Sequence, residues 1–210
     1  MDTCYIFGSV DILQADVKSD ASDYVIAADK GLLTVNKLNI TPDLIIGDFD
    51  SLGYVPQGEN VIKFPIMKDD TDLIIAIKEG LNRGYKLFKI YGCLGGERLD
   101  HTIAAIQTLG FIGENDAVGI LYDDNCYVTL LENKSLTLDE SCEGTVSVFA
   151  YSEKATVSIS GLKYNLEKAE LTNTYPIGAS NEFIHKNAVI TSHNGKILVV
   201  GKINLNSGEL

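Results

Sequence analysis

Apolar runs and helical patterns alternate along about the first 120 residues. Short apolar stretches that predict strands cover residues 4–9, 23–29, 43–47, 60–65, 86–92 and 117–123. Helical patterns cover residues 32–39, 70–84 and 100–113. Strands that alternate with helices in this way predict a mostly parallel, Rossmann-like sheet with flanking helices.

The pattern changes after about residue 125, where apolar and polar residues alternate with the period of a strand. The sequence Asn194-Gly195 separates two strand-like runs, which predicts a hairpin turn. Residues 133–210 are therefore predicted to form an antiparallel β-sandwich. The fold class expected is α/β + β, with an α/β domain over residues 1–132 followed by the β domain.

Composition and charge narrow the possible partners of the chain. Of its 210 residues 45% are apolar, which is enough for a sizeable core, and the net charge is −12. A surface this acidic repels nucleic acids and anionic membranes. Four cysteines without a CxxC pair are expected to be reduced and buried. With no signal-like segment and no apolar run approaching ~20 residues, we expect no membrane association and a cytoplasmic location.

The segment DLIIGDFDSL, residues 43–52, places two carboxylates beside each other without a basic neighbour. If the predicted strand continues, Asp48 and Asp50 point to the same face, with Cα atoms about 7 Å apart. Two bare carboxylates repel each other, and Mg²⁺ would remove that repulsion because it prefers oxygen ligands. Taken alone, the segment fits a capped turn at least as well.

Further carboxylates are predicted at the same edge of the sheet. Asp29 ends a predicted strand, and Asp69, Asp70 and Asp72 stand at the start of a predicted helix. A helix cap accounts for one residue of the KDDTD segment and not for all three carboxylates. Ligands of such sheets bind beyond the carboxyl ends of the strands, where Asp29 and Asp48 are expected.

The segment YGCLGGERLDH, residues 91–101, has the composition of a phosphate-binding loop. Gly95 and Gly96 allow the backbone to curve closely around an anion, and the helix predicted from Asp100 offers free N–H groups. Arg98 adds a fork of donors suited to phosphate. A glycine-rich turn with a surface arginine explains the segment equally well by itself. Together with the carboxylates, however, the loop indicates phosphoryl transfer.

Six segments in this order resemble the thiamin pyrophosphokinase family. They are AADKG (27–31), PDLIIGDFDS (42–51), KDDTD (68–72), GGERLDH (95–101), GLKYNL (161–166) and GASNEF (178–183). The resemblance implies an α/β catalytic domain that binds ATP and Mg²⁺, followed by a β-sandwich that binds thiamin and forms a homodimer. It implies transfer of a pyrophosphoryl group from ATP to the thiamin hydroxyl, giving thiamin diphosphate and AMP.

The resemblance also implies roles for individual residues. The metal would be held by Asp48, Asp50 and Asp72, and the hydroxyl proton would be handled by Asp100 or Asp72. The nucleotide and reaction site would be lined by Asp29, Arg98 and Asp100, with Gly95 and Gly96 in the phosphate loop and with Lys68 and Thr71 beside the site. Thiamin, a cationic aromatic molecule, would contact Tyr164, Ser180 and Asn181. The site would form between the α/β domain of one subunit and the β domain of the other.

The sequence departs from the family pattern at two positions. Glu97 is inserted before Arg98 relative to the common loop, and Tyr164 stands where eukaryotic members tend to have Trp.

Two other functions compete with this interpretation. A pterin pyrophosphokinase would share the acidic pattern, although the matches in the β domain argue against it. A non-catalytic nucleotide or thiamin sensor would not need so many carboxylates.

Overall fold

A computed structural model describes residues 2–18, 20–65 and 69–202. The chain divides into two compact units, Met1–Asp124 and Asn125–Leu210. No helix among the described residues is long and apolar enough to span a membrane. The four cysteines form no disulfide, as predicted, but burial is complete only for Cys4, whereas Cys93, Cys126 and Cys142 are half-buried.

The first unit is a parallel α/β sheet, which confirms the predicted fold class. Its strands are β1 (Thr3–Phe7), β2 (Tyr24–Ala28), β3 (Leu44–Gly47), β4 (Val61–Lys63), β5 (Leu87–Tyr91) and β6 (Val118–Tyr122). They lie in the order β6-β5-β1-β2-β3-β4, and all neighbouring pairs are parallel. Its helices are α1 (Gly31–Lys37), α2 (Asp72–Asn82) and α3 (Leu99–Glu114).

Both faces of this sheet are buried, as its continuous apolar strands require. Tyr5 and Phe7 of β1 pack with Tyr91 of β5 on one face. Ile6 and Phe88 are fully buried on the alternate positions of the same strands. The strand order reverses between β1 and β5, and a crevice is expected at such a reversal, beyond the carboxyl ends of the strands.

Helix α2 shows how the local sequence fixes an element beside that crevice. Asp69, Asp70 and Thr71 are the candidate caps in the sequence, and the cap is Thr71, whose hydroxyl oxygen accepts a hydrogen bond from the Ile74 amide at 3.3 Å. Ala76, Ile77 and Gly80 form its buried face. A Cβ atom at Gly80 would lie 2.5 Å from the Phe88 ring, so only glycine allows this approach of helix and sheet.

The second unit contains two antiparallel sheets, which confirms the predicted β-sandwich. Its strands are β7 (Cys126–Glu132), β8 (Ser135–Leu138), β9 (Thr145–Ala150), β10 (Lys154–Ser160), β11 (Leu166–Thr172), β12 (Asn181–Glu182), β13 (Ala188–Asn194) and β14 (Lys196–Lys202). One sheet has the order β12-β9-β14-β7 and the other β11-β10-β13-β8. The division of the chain after Asp124 assigns β7 to this unit, whereas the boundary predicted from the sequence follows β7.

The predicted hairpin at Asn194-Gly195 is wrong, although both flanking strands exist. β13 pairs with β10 and β8, whereas β14 pairs with β7 and β9. The turn therefore carries the chain from one sheet to the other. Alternation with period two identifies a strand and its buried face, but it does not identify the strand that pairs with it. Gly195 has φ +80°, and a Cβ there would lie 2.5 Å from the Lys154 carbonyl oxygen.

Candidate active site

A cavity of about 550 Å³ lies in the first unit where the strand order reverses. Its walls are the segments that follow three strands, together with the first turns of α2 and α3. The lining residues include residues 8–11 after β1, residues 28–30 at the end of β2 and residues 92–93 after β5, with Thr71, Asp72, residues 95–98 and His101. The cavity is therefore at the position where sheets of this type bind ligands.

Bare backbone forms part of the cavity wall, because side chains are excluded there. The Val10 amide donates to the Gly92 carbonyl oxygen at 2.9 Å, and the Gly8 amide donates to the Tyr91 carbonyl oxygen at 2.8 Å. A Cβ at Gly92 would lie 2.5 Å from the Val10 carbonyl oxygen, and one at Gly8 would lie 2.7 Å from the Gly92 carbonyl oxygen. A ligand in this cavity can thus approach the main chain closely.

Three carboxylates come together at the ends of β2 and β3. One oxygen each of Asp29, Asp48 and Asp50 lies within 4.8 Å of the others, and we call these residues the acidic cluster. The predicted extended arrangement of Asp48 and Asp50 is wrong, because β3 ends at Gly47 and Phe49 has φ +61°. The Asp50 amide donates to Asp48 Oδ1 at 3.1 Å. The turn considered as an alternative to a metal site is therefore what gathers the carboxylates.

Phe49 fixes this turn to the hydrophobic core. Its side chain is 2% exposed and packs in the same core cluster as Phe7 and Tyr91. A left-handed backbone is unusual for so bulky a residue and costs free energy that the packing of the ring must offset. The sequence gives no signal of this conformation, because large aromatic residues rarely adopt it.

The electrostatics of the acidic cluster are unfavourable without a cation. A hydrogen bond with Asp48 and the negative charge of Asp48 raise the pKa of Asp50 above its usual value. Asp29 has φ +50°, and its Oδ2 accepts a hydrogen bond from the Ser51 hydroxyl. Its Oδ1 is buried without a hydrogen-bond partner, the one such side-chain atom in the described part of the chain. An orphaned acceptor of this kind requires an explanation, and a cation supplies one.

The helix-start residues Thr71 and Asp72, which are predicted for the site, line the same cavity as Asp29. Thr71 also caps α2. The resemblance implies that Asp72 is the third metal ligand, together with Asp48 and Asp50. In the structure the third carboxylate of the acidic cluster is Asp29 instead. The other residue of this motif that was predicted for the site, Lys68, lies outside the described residues.

The predicted phosphate loop forms another wall. Gly95 and Gly96 have φ +72° and +76° and line the cavity together with Arg98. Arg98 Nη2 lies 2.6 Å from Asp100 Oδ2, and this hydrogen bond lowers the pKa of Asp100. Asp100 itself is not among the described residues that line the cavity.

Cys93 also lines the cavity, but its thiol is not suited to nucleophilic chemistry. Burial raises the pKa of Cys93 to about 12. The reactive thiolate is therefore scarce at neutral pH, and the Sγ atom contacts the Tyr91 carbonyl oxygen at 3.6 Å. Its position beside Gly8 indicates a packing role.

The three residues predicted to contact thiamin lie together in the second unit. The Tyr164 side chain is 59% exposed, whereas Asn181 is 7% exposed. Asn181 Oδ1 accepts hydrogen bonds from the Tyr164 and Glu182 amides at 3.0 and 2.9 Å, and its Nδ2 donates to the Tyr164 carbonyl oxygen at 2.6 Å. Ser180 has φ +59° and its amide donates to Ser147 Oγ at 2.9 Å. We call Tyr164, Ser180 and Asn181 the tyrosine loop.

Two contributors to the first unit's site were missed by sequence reasoning. Lys30 lines the cavity and Ser51 contacts Asp29. Both stand inside the AADKG and GDFDS segments that carry the resemblance, directly after a predicted carboxylate. Their adjacency to Asp29 and Asp50 was the available signal.

Two family models match the chain in consecutive regions. The thiamin pyrophosphokinase catalytic domain matches residues 16–118, and the thiamin pyrophosphokinase vitamin B1 binding domain matches residues 134–197. A curated relative, thiamine pyrophosphokinase of Bacillus subtilis, is 26% identical over 184 residues, which cover 83% of this chain and 85% of that protein.

Solved structures show the same fold at lower identity. A crystal structure of thiamine pyrophosphokinase from Bacillus subtilis superimposes with a TM-score of 0.83 at 22% identity, covering 97% of this chain and 100% of that one. Thiamin pyrophosphokinase from Candida albicans superimposes with a TM-score of 0.78 at 15% identity, covering 96% of this chain and 90% of that one.

Proposed function

The chain belongs to the thiamin pyrophosphokinase family, and we propose that it transfers a pyrophosphoryl group from ATP to the hydroxyl of thiamin. The products are thiamin diphosphate and AMP. The observation that carries the proposal is the acidic cluster beside a cavity at the strand-order reversal, in a chain that matches both domains of the family in order.

The donor set of the acidic cluster fits Mg²⁺. Hard divalent cations take carboxylate oxygens, and Asp29 Oδ1 is buried and lacks a hydrogen-bond partner. We assign the metal to Asp29, Asp48 and Asp50, with Asp72 along the adjoining cavity wall. When bound, Mg²⁺ neutralises negative charge on the polyphosphate and on the developing transition state.

The cavity wall supplies the groups that a polyphosphate needs from a chain of net charge −12. Arg98 and Lys30 offer positive charge, and both line the cavity. Gly95 and Gly96 leave the main chain open for close approach. These residues would bind and orient ATP, which is most of what a phosphoryl-transfer enzyme contributes.

The reaction requires one proton acceptor. The thiamin hydroxyl oxygen bonds to the β-phosphorus of ATP, the bond from that phosphorus to the oxygen shared with the α-phosphorus breaks, and AMP departs with that oxygen. The proton on the hydroxyl passes to a carboxylate. Of the two candidates we favour Asp72, because Asp72 lines the cavity, whereas the carboxylate of Asp100 is held by Arg98, which lowers its pKa and makes it a weaker base.

We propose that the tyrosine loop binds thiamin and that the enzyme is a cytoplasmic homodimer with each site shared between subunits. The support is the resemblance together with the exposed Tyr164 ring, which suits a cationic heteroaromatic ligand. If sites are shared, mixing Asp50→Asn with Tyr164→Ala protein at a thiamin concentration well below the KM should give more activity than either variant alone, because mixed dimers contain one intact site. Light scattering would give the oligomeric state.

AMP formation tests the activity. Purified protein with ATP, Mg²⁺ and thiamin should release AMP in proportion to thiamin diphosphate. AMP formed without thiamin, or with a hydroxymethylpterin in its place, would overturn the assignment of the acceptor. Tight thiamin binding without AMP would indicate a sensor instead of an enzyme.

A further inference from the structure

Ser51 connects the two loops that form the acidic cluster. It follows Asp50 directly, yet its hydroxyl donates a hydrogen bond to the carboxylate of Asp29, 22 residues earlier in the chain. The strands before these loops are parallel neighbours, with Ala28 paired to Ile46. Ser51 thus links the end of β3 to the end of β2 through a side chain that no motif-based role explains.

The hydrogen bond from Ser51 gives the two oxygens of Asp29 different environments. Oδ2 is occupied by the Ser51 hydroxyl, and Oδ1 is the buried oxygen without a hydrogen-bond partner. A free carboxylate can turn about its Cβ–Cγ bond and present either oxygen. The hydroxyl opposes this rotation, so Oδ1 stays the oxygen without a hydrogen-bond partner.

The backbone of Asp29 is already fixed before the side chain is considered. Its amide donates to the Ile46 carbonyl oxygen at 2.8 Å, and its φ of +50° sets the direction of the side chain. Side-chain rotation is therefore the freedom that remains at this carboxylate. Partners that orient a metal-binding carboxylate commonly change metal affinity 10- to 100-fold.

We propose that Ser51 is a positioning residue for the divalent cation: its hydroxyl holds Asp29 Oδ2 so that Oδ1 faces the cation. The inference rests on the metal site of the proposed function and assigns a role that the metal ligands alone do not include. Ser51 acts through Asp29 and needs no contact with the cation or the nucleotide.

Mn²⁺ binding to the full-length protein, without nucleotide, tests the role directly. Free Mn²⁺ would be measured by electron paramagnetic resonance during titration of the wild type, Ser51→Ala, Ser51→Thr and Ser135→Ala. Ser135 provides the matched control, since its hydroxyl makes an exposed side-chain hydrogen bond with Thr191 at 2.8 Å in the second unit. Thermal unfolding of each variant would accompany the titration.

We expect Ser51→Ala to weaken Mn²⁺ binding about 10-fold or more. Ser51→Thr keeps a hydroxyl and should restore binding to near the wild-type value, and Ser135→Ala should leave it unchanged. Equal affinity of wild type and Ser51→Ala, equal losses in Ser51→Ala and Ser51→Thr, or no saturable Mn²⁺ site in the wild type would each overturn the inference. Thiamin-dependent AMP formation tests the proposed function separately, so the two can fail independently.

Discussion

The acidic cluster and the tyrosine loop differ in whether their buried polar atoms have hydrogen-bond partners. In the acidic cluster, one buried oxygen of Asp29 has no hydrogen-bond partner. In the tyrosine loop, both polar atoms of the buried Asn181 side chain are hydrogen-bonded to neighbouring backbone. The acidic cluster therefore needs a ligand to satisfy its buried polar atom, whereas the buried side chain of the tyrosine loop is satisfied without one.

The difference distinguishes residues that bind a ligand from residues that hold a loop in position. An unsatisfied buried acceptor persists only where the rest of the fold imposes it, and such atoms call for a ligand or another partner as an explanation. A satisfied amide such as Asn181 instead holds a loop, so that a neighbour, here Tyr164, can face solvent. Changes in the acidic cluster should therefore affect activity more than stability, whereas a change at the buried Asn181 of the tyrosine loop should affect both.

The largest expected effect is the loss of activity in Asp50→Asn, by about 100-fold or more, because a proposed metal ligand is removed. Its thermal midpoint without metal should not fall, since the change relieves repulsion from Asp48. Turnover and thermal unfolding would be measured on the same preparation. Full activity would exclude the metal role of Asp50, and a lower midpoint would contradict the comparison of the two regions.

Asn181→Ala should come next, with a loss of about 2–3 kcal/mol in the free energy of unfolding, because buried backbone groups lose their partners. The KM for thiamin should rise while the KM for ATP stays near the wild-type value. Urea denaturation and steady-state kinetics measure the two effects. Asn187→Ala, which removes one exposed hydrogen bond to the Glu140 amide, is the matched control and should change neither by much. Unchanged stability in Asn181→Ala would show that the amide is not a scaffold.

Tyr164→Ala should weaken thiamin binding about 3- to 30-fold through loss of the aromatic face. Tyr164→Phe keeps the ring and should bind thiamin nearly as well as the wild type. Because this ring is 59% exposed, neither change should lower the thermal midpoint much. Thiamin titration by calorimetry distinguishes the variants, and equal affinity of Tyr164→Ala and wild type would remove Tyr164 from the thiamin site.

The smallest effect is expected from Asp100. Its hydrogen bond with Arg98 lowers the folded-state pKa below the unfolded value of about 3.9. The ion pair therefore adds stability above that unfolded pKa, and the contribution is lost as the pH falls through the folded pKa. The midpoint difference between wild type and Asp100→Asn should be small at pH 7 and should disappear in acid. A difference that grows on acidification would reverse the sign and exclude the ion pair as its cause.

The sequence predicts the elements of this fold better than their connections. The apolar positions of α2 and the continuous apolar runs of β1 and β5 are local signals, and local signals identify helices and strands. The pairing of β13 with β10 instead of β14 depends on packing between distant segments. No residue at the Asn194-Gly195 turn carries that information, so the hairpin prediction was wrong there.

The candidate site divides in the same way. Asp48 and Asp50 are recognisable because two carboxylates follow an apolar strand, and Arg98 because it stands in a glycine-rich loop before a helix. The extended geometry predicted for Asp48 and Asp50 was wrong, because the left-handed backbone at Phe49 depends on burial of its ring. The meeting of Asp29 with them depends on β2 and β3 being neighbours, which sequence patterns alone do not establish.

Phe49 determines how long the acidic cluster stays assembled, as well as its geometry. Its ring lies in the same core as Phe7 and Tyr91, so the turn that carries Asp48 and Asp50 cannot open without exposing core surface. Surface loops usually open with free energies close to zero, whereas core elements open only with the whole domain. The amide of Asp50 should thus exchange with solvent hydrogen far more slowly than those of ordinary turns. The carboxylates consequently stay assembled between turnovers for as long as the domain itself stays folded.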